Sequence, residues 1–479
     1  MPSPSQILIY YEWKMLIRNR FQLLMLAVTF LFGLYAIYYG QSEINAQRQT
    51  IQAVQNLEQE EFSSYQASFT EEMETLEQEQ THDIASRPAY AWYRHGYHAI
   101  LPPHDYAALA IGQRDLFRYY YRLTGMSLHY QLFENELANP VNLMVGNFDL
   151  SFVLVYLFPL LIIAFCYGLF SSEKENGTLP LLMMQPVSLR RIILVRFLFY
   201  FGLITGLALL LSLIGLITSG NPLKAENLIP ALAWLLGVLV YCAFWFGLLF
   251  LIISFCQSSA LNAITAVGCW LLLLIVIPAV LNVIVTVKYP LSSATLAGLT
   301  RRTGLENEDD EEESREVIQE FLTHKPELAG SDSLMKNNLL PKAYAAFTSL
   351  KDINSQQQVD QYNAQVAQRN AWTSRFHWLS PAVNMQEVLA HIAETDVSTF
   401  LRFQAALASF HGEITDFYFT RLFWDKLILQ EDYASLPVFE MPKSDDRWNM
   451  VWLGLGKIFL AAGGAFTFGF INMKGGARQ

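Results

Sequence analysis

Apolar residues in this chain gather in six long runs, separated by polar stretches of very unequal length. The runs cover residues 21–40, 150–170, 192–219, 228–255, 260–287 and 448–473. Each reaches about 20 residues or more, the length at which an α-helix crosses the hydrocarbon core of a bilayer. Two polar stretches are long, 41–149 and 288–446, and the others are short. Inside the long stretches apolar positions recur at three and four rather than at two, so helices are predicted there as well. Ile51, Val54, Leu57, Phe62, Tyr65, Phe69, Met73 and Leu76 mark one helix that continues the first run outward. At about 30 residues it would extend about 45 Å. Further helices are predicted over 116–137, 314–323, 334–351, 356–376 and 396–429. Residues 90–106, broken by Pro102 and Pro103, read as short extended pieces. The pattern predicts an all-α integral membrane protein with six transmembrane helices and two mostly helical extracytoplasmic domains.

Residues 1–20 precede the first run and form an elbow. Ile7, Leu8, Tyr11, Met15 and Leu16 make a helical stripe, with Glu12, Lys14 and Arg18 off it. A helix lying in the membrane interface is predicted. The first run is too long and bulky for a leader, and Tyr38-Tyr39-Gly40 is no cleavage site, so it reads as an uncleaved span. Positive charge then orients the chain. Lys14, Arg18 and Arg20 flank the first run, Lys174, Arg190, Arg191 and Arg196 the second and third, and Lys474 and Arg478 the sixth. The positive-inside rule places both termini, the tail 474–479 and the loop 171–191 in the cytoplasm. Segments 41–149 and 288–446 are then external, in a bacterial inner membrane.

Composition sharpens this picture. A 53% hydrophobic share with 16% charged residues excludes an ordinary soluble protein of this length. The net charge of −11 is unevenly placed: the two long segments carry 15 acidic against 6 basic and 24 against 14 residues. The remainder carries 4 acidic and 12 basic, so the acidity is wholly external and no nucleic-acid partner is indicated. Cys166, Cys242, Cys256 and Cys269 all lie in or beside spans. The external segments use no disulfides and must be stabilised by burial. They are predicted to pack on each other above the spans, as a cap that meets a periplasmic partner or cargo.

The loop 171–191 carries the most chemistry. It reads SSEKENGTLPLLMMQPVSLRR, with Gly177 and Thr178 as a turn and N-cap, Pro180 in a first helical turn, and a short helix over 181–185 stopping before Pro186. The matching Glu173, Glu175, Gly177, Thr178, Leu179, Leu181, Leu182, Pro186, Arg190 and Arg191 resemble the permease subunits of type 2 ABC exporters. Pro180 and Arg196 stand where that family often has a polar residue and a Lys. The resemblance implies a coupling helix seated on an ATP-binding subunit. It also implies two ATPase copies that hold the ATP and magnesium, a second permease copy beside this one, and an elbow that touches the ATPase. This chain itself would bind no cofactor. Glu134, Glu136, Asn139, Pro140, Gly146, Phe148 and Asp149 are similar to a lead-in and Gly-x-Phe-Asp motif of a subgroup with a large external insertion, that of gliding-motility and nitrous-oxide-reductase-maturation permeases.

Enzymatic readings find little support. No Gly-x-x-x-x-Gly-Lys-Ser/Thr, His-Glu-x-x-His or Gly-x-Ser-x-Gly occurs. His95, His98 and His104 fall within ten residues and could bind copper or zinc, though their spacing fits no standard site. Lys457 lies deep in the sixth run with no acidic residue in any span to pair with it, which makes it a functional candidate. Gly454, Gly456, Gly463 and Gly464 predict close helix packing in the same run. Pro159 and Pro278 predict kinks whose freed carbonyls need partners. A non-transporting membrane scaffold or sensor with external binding domains is the alternative reading.

Overall fold

The computed structural model describes residues 4–70, 72–133, 147–184, 188–255, 258–290, 311–329, 336–443 and 447–476. Six of its helices are long and apolar enough to cross a membrane. They are Arg20–Ala67, Leu150–Glu175, Arg191–Ser219, Ala225–Ser254, Ser259–Lys288 and Arg447–Met473, here spans one to six. Each overlaps one of the apolar runs. Span four is largely buried among the others, whereas spans one, five and six present most of their surface outward. Its buried Trp234, Tyr241, Trp245 and Phe246 fill the centre of the bundle. The elbow, Pro4–Arg18, precedes span one, with Asn19 capping the new helix through Gln22 N–H at 3.3 Å.

Span one continues past the bundle as one unbroken helix of 48 residues, about 70 Å long. It stops at Ala67 and not at Leu76, because Thr75 and Gln78 form a reciprocal capping box that starts a new helix, Leu76–Ser86. Of the stretch expected as a helix over 116–137, Leu128–Phe133 is helical, residues 134–137 lie outside the described residues, and the part before Leu128 folds otherwise. Tyr120–Leu123 pairs antiparallel with Tyr97–Ile100, setting Tyr97 opposite Leu123 and Ile100 opposite Tyr120. Tyr121 and Leu123 point inward and Arg122 outward, the alternation of a half-buried strand. Gly125 then lets the chain pass under Trp92, where a Cβ would lie 2.7 Å from the Trp92 carbonyl oxygen.

The two long polar segments build one body with one core. Trp92, Leu128 and Phe133 of the first pack with Phe321, Phe403 and Phe423 of the second. Polar ties add to this. The Asp352 carboxylate accepts from Ser127 Oγ at 2.5 Å and from the N–H groups of Leu128 and His129 at 2.7 and 3.2 Å. The second segment contributes helices Glu311–His324, Leu339–Phe376 and Val397–Phe423, the middle one running without the break expected near residue 352.

One helix of that segment leaves the polar body. Pro381–Ala393 packs into the core of the bundle through Ala382, Met385, Val388, Leu389, Ile392 and Ala393. Its Asn384 donates to the Gly454 carbonyl of span six at 3.0 Å, and Met385 fills the space over Gly237 of span four. Its N-cap, Ser380, donates to the Leu273 carbonyl at 2.6 Å. Leu273 sits midway along span five, about 20 Å of helix from either end, so this inserted helix reaches the middle of the bundle. Of the four glycines expected to pack closely in span six, only Gly454 touches a neighbour. A Cβ there would lie 2.4 Å from Val388, while Gly456, Gly463 and Gly464 face open space.

Candidate functional site

At the end of the bundle opposite the polar body, span two unwinds into the loop 171–191. A turn at Gly177, with φ +70°, reverses the chain, and the short helix Leu179–Met183 follows. It begins two residues before the expected 181 and takes Pro180 in its first turn, where a missing N–H costs nothing. Thr178 does not cap this helix with its side chain. Its hydroxyl instead turns back to the Glu173 carboxylate, and its N–H donates to the Glu173 carbonyl at 3.0 Å.

Glu173 is one arm of a buried ion triad. Arg196, in the first turns of span three, meets Glu173 at 2.7 Å with Nη1 and Glu12 of the elbow at 2.6 Å with Nε. Tyr200 donates to the same Glu12 carboxylate at 3.4 Å. The planar guanidinium fork lets one Arg serve two carboxylates on different elements, which a Lys in its place could not do as well. The Glu12 side chain is 3% exposed, and burial pushes its carboxyl above the usual range despite the Arg196 charge. The elbow therefore docks on the bundle through Glu12, which lies off the apolar stripe, and through Leu16 at the stripe's end. Glu12 and Leu16 are buried, whereas Ile7, Tyr11 and Met15 face outward. Lys14 and Arg18 are exposed and take no part.

The rest of the loop ties down its neighbours. Glu175 accepts the Ser259 N–H at 2.6 Å, placing a carboxylate on the N-terminus of span five, where the helix dipole favours it. Asn262 of span five donates to Ser171 Oγ at 2.7 Å, and Arg191 reaches Ser5 Oγ at 3.0 Å. Glu173, Glu175, Thr178, Arg191 and Glu12 are thus brought together, and their polar groups are used inside the chain. Pro186 and the Arg190 side chain lie outside the described residues. Beside the exposed Lys174, the loop also offers an apolar pair outward: Leu181 and Met184 are 64% and 82% exposed, and Leu182 is half-buried.

A family model for ABC-2 family transporter proteins matches residues 6–411, from the elbow through both sides of this loop and into the polar body. The chain belongs to the ABC-2 transporter family. Neither a curated protein nor a solved structure matches it. An ABC-2 membrane protein is, in general, the permease component of an ABC transporter and has an ATP-binding ABC partner. Six apolar helices make this member a multi-pass membrane protein.

The remaining sequence candidates fall elsewhere in this permease. The three histidines are not brought together. His95 is buried, with Nδ1 2.6 Å from Tyr418 Oη. His98 pairs with Glu58 at 3.2 Å, and His104 accepts the Tyr106 N–H at the same distance. Among the described residues no group of three His, Cys, Asp or Glu side chains is placed to hold a metal ion. Asp149 caps span two through the Phe152 N–H and also accepts the Ile111 N–H, both at 2.8 Å. Phe148 meets Phe32 of span one edge-on and Tyr35 at a tilt, while Glu134, Glu136, Asn139, Pro140 and Gly146 lie outside the described residues. Lys457 is exposed on the outward face of span six, near His377, which leads into the inserted helix.

Proposed function

We propose that this chain is the permease subunit of a type 2 exporter-like ABC transporter in a bacterial inner membrane. Both termini and the loop 171–191 face the cytoplasm, and the polar body faces the periplasm. Leu181 and Met184 form the contact with the ATPase, and the triad of Glu12, Arg196 and Glu173 passes its movement to the spans. ATP and magnesium belong to two partner ATPase subunits, and this chain binds no cofactor. A second permease, the same chain or a related one, completes the path. Closure of the ATPases then drives export, or transmits force to the periplasmic body and to whatever partner it meets.

The observation that carries this reading is the division of labour in the loop. Glu173, Glu175 and Arg191 are tied to span three, span five and the elbow, which makes a stiff mount, and the exposed apolar pair is left for a partner. Replacing both by Asp (L181D/M184D) should leave the permease inserted but abolish co-purification with its ATPase. Retained ATPase binding and stimulation in that variant would overturn the assignment. Should the ATPase bind but its hydrolysis have no bearing on any cargo, the scaffold or sensor reading gains.

A further inference from the structure

We propose that Lys457 and the turn His377–Leu379 form a binding site for an anionic phospholipid, with its phosphate on the ammonium and its chains between spans five and six. The site needs only that the six helices cross a bilayer. Lys457 stands ten residues, about 15 Å, inside span six from Arg447. The turn reaches a similar depth by another route, since the adjoining Ser380 meets Leu273 about 20 Å along span five. Span six packs directly on this turn.

A cation at that depth is costly unless an anion or water meets it. Lys457 is exposed, and among the described residues no carboxylate forms an ion pair with it. Glu387 of the inserted helix accepts instead from His377 Nδ1 and, at 3.2 Å, from Ser374 Oγ. Burial, and then the Lys457 ammonium, disfavour a proton on His377, so that ring is neutral. Residues 361–390 with spans five and six carry Arg369, Arg375, Lys288, Arg447 and Lys457, against Glu387 alone. Arg447 is taken by Glu394, Arg369 by Thr286, and Lys288 lies over the Trp372 ring. Lys457 and the exposed Arg375, two residues before the turn, keep their charge for an anion from outside the chain.

The space beside this charge suits a lipid. Spans five and six hardly meet. In their halves nearer the polar body the inserted helix packs on both, and deeper in, among the described residues, span four alone packs on both. The turn roofs the cleft that remains, and its Trp378 is 60% exposed. Further in on the Lys457 face of span six, Leu460 is exposed and a Cβ on Gly464 would meet nothing within 4 Å. That leaves an apolar wall with room for an acyl chain. A cation and an indole at one level suit the headgroup end, where one side is wet and the other apolar.

The test uses the full chain in phosphatidylcholine vesicles that carry rising fractions of a lipid brominated on its acyl chains. The bromine quenches nearby indoles, and the Trp378 signal is the difference between the wild-type chain and W378F. Brominated phosphatidylglycerol should quench that signal at a mole fraction at least fivefold lower than brominated phosphatidylcholine. K457Q should make the two lipids alike, and K457R should keep the preference. Free glycerol phosphate should leave the preference intact. Equal quenching by both lipids in the wild-type chain would overturn the proposal, as would a preference that survives K457Q. Loss of the preference to glycerol phosphate would mean a site for free phosphate, and a Trp378 that neither lipid quenches would mean a cleft filled by protein, such as a second copy. Either result overturns the lipid assignment without touching that of the ATPase contact.

Discussion

Spans two and five carry the same local device and use it differently. Each has a π-helical turn just ahead of a proline: Val153–Leu157 before Pro159, and Leu272–Val276 before Pro278. A proline has no N–H to give, so a carbonyl one turn back is released at each site. In span two the carbonyls are taken up within the bundle. Tyr241 of span four donates to Val155 at 2.9 Å, and Trp270 of span five to Tyr156 at 3.3 Å. In span five the donor to Leu273 is Ser380, which belongs to the polar segment. The freed carbonyls of span two are therefore held by its neighbours, while that of span five answers to the polar body. Both spans meet again in the loop 171–191, where Glu175 of one holds the first turn of the other. A push on that loop has a continuous route through span five to the inserted helix.

The largest expected effect comes from the triad that anchors the loop to span three and the elbow. R196A leaves Glu12 buried without its cation, and loss of one partner of a buried pair costs about 3–5 kcal/mol. Thermal unfolding in detergent should show it as a clear drop in Tm, and an unchanged Tm would mean the triad is not what stiffens this end. Smaller effects separate the two proline sites. Y241F orphans the Val155 carbonyl and should cost about 1–3 kcal/mol, felt across the bundle. S380A removes the donor to Leu273 and the cap on Val383 N–H, worth about 1 kcal/mol as a cap. Its effect should stay local, raising hydrogen exchange in 381–393 while span two is untouched. Equal loss of protection in both spans would erase the distinction drawn between them.

The six spans were legible because a run of about 20 apolar residues has few other uses. The freed carbonyls were legible for the same kind of reason, since Pro159 and Pro278 lack a donor whatever surrounds them. The inserted helix was not. Its Ala382, Met385, Val388, Leu389 and Ile392 do recur at helical spacing after a Ser-Pro start, but 13 residues with a Glu, a His and an Asn look like any surface helix. Nothing local says that the apolar face meets spans rather than the polar body. Glu12 was misread for a related reason: a carboxylate counts as outward-facing until its partner, 184 residues away in the chain, is known to lie beneath it. In the loop the motif residues were found, but their partners were not. Glu173, Glu175 and Arg191 bind their own chain, and the exposed Leu181 and Met184 gain meaning only once those charges are seen to be spent.

The smallest effect tests whether the polar body really governs span five. His95 joins the two polar segments through Tyr418, and burial holds its ring down at about 3, far below the ordinary histidine value of about 6.5. Between those values the unfolded chain binds a proton that the folded one refuses, so stability is lost as pH falls below about 6.5. Near pH 6 the loss from this one ring is about 1 kcal/mol and it grows with further acidification. His104, held down at about 4 by burial and then by Arg447, adds in the same direction. H95Q should flatten part of this slope in chemical unfolding followed between about pH 5 and pH 7.5. If the body governs the proline site of span five, mild acid should loosen residues around Leu273 before those around Val155, and H95Q should narrow the gap between them. Simultaneous loosening would show that the π-helical turn of span five is held by the bundle after all, as that of span two is.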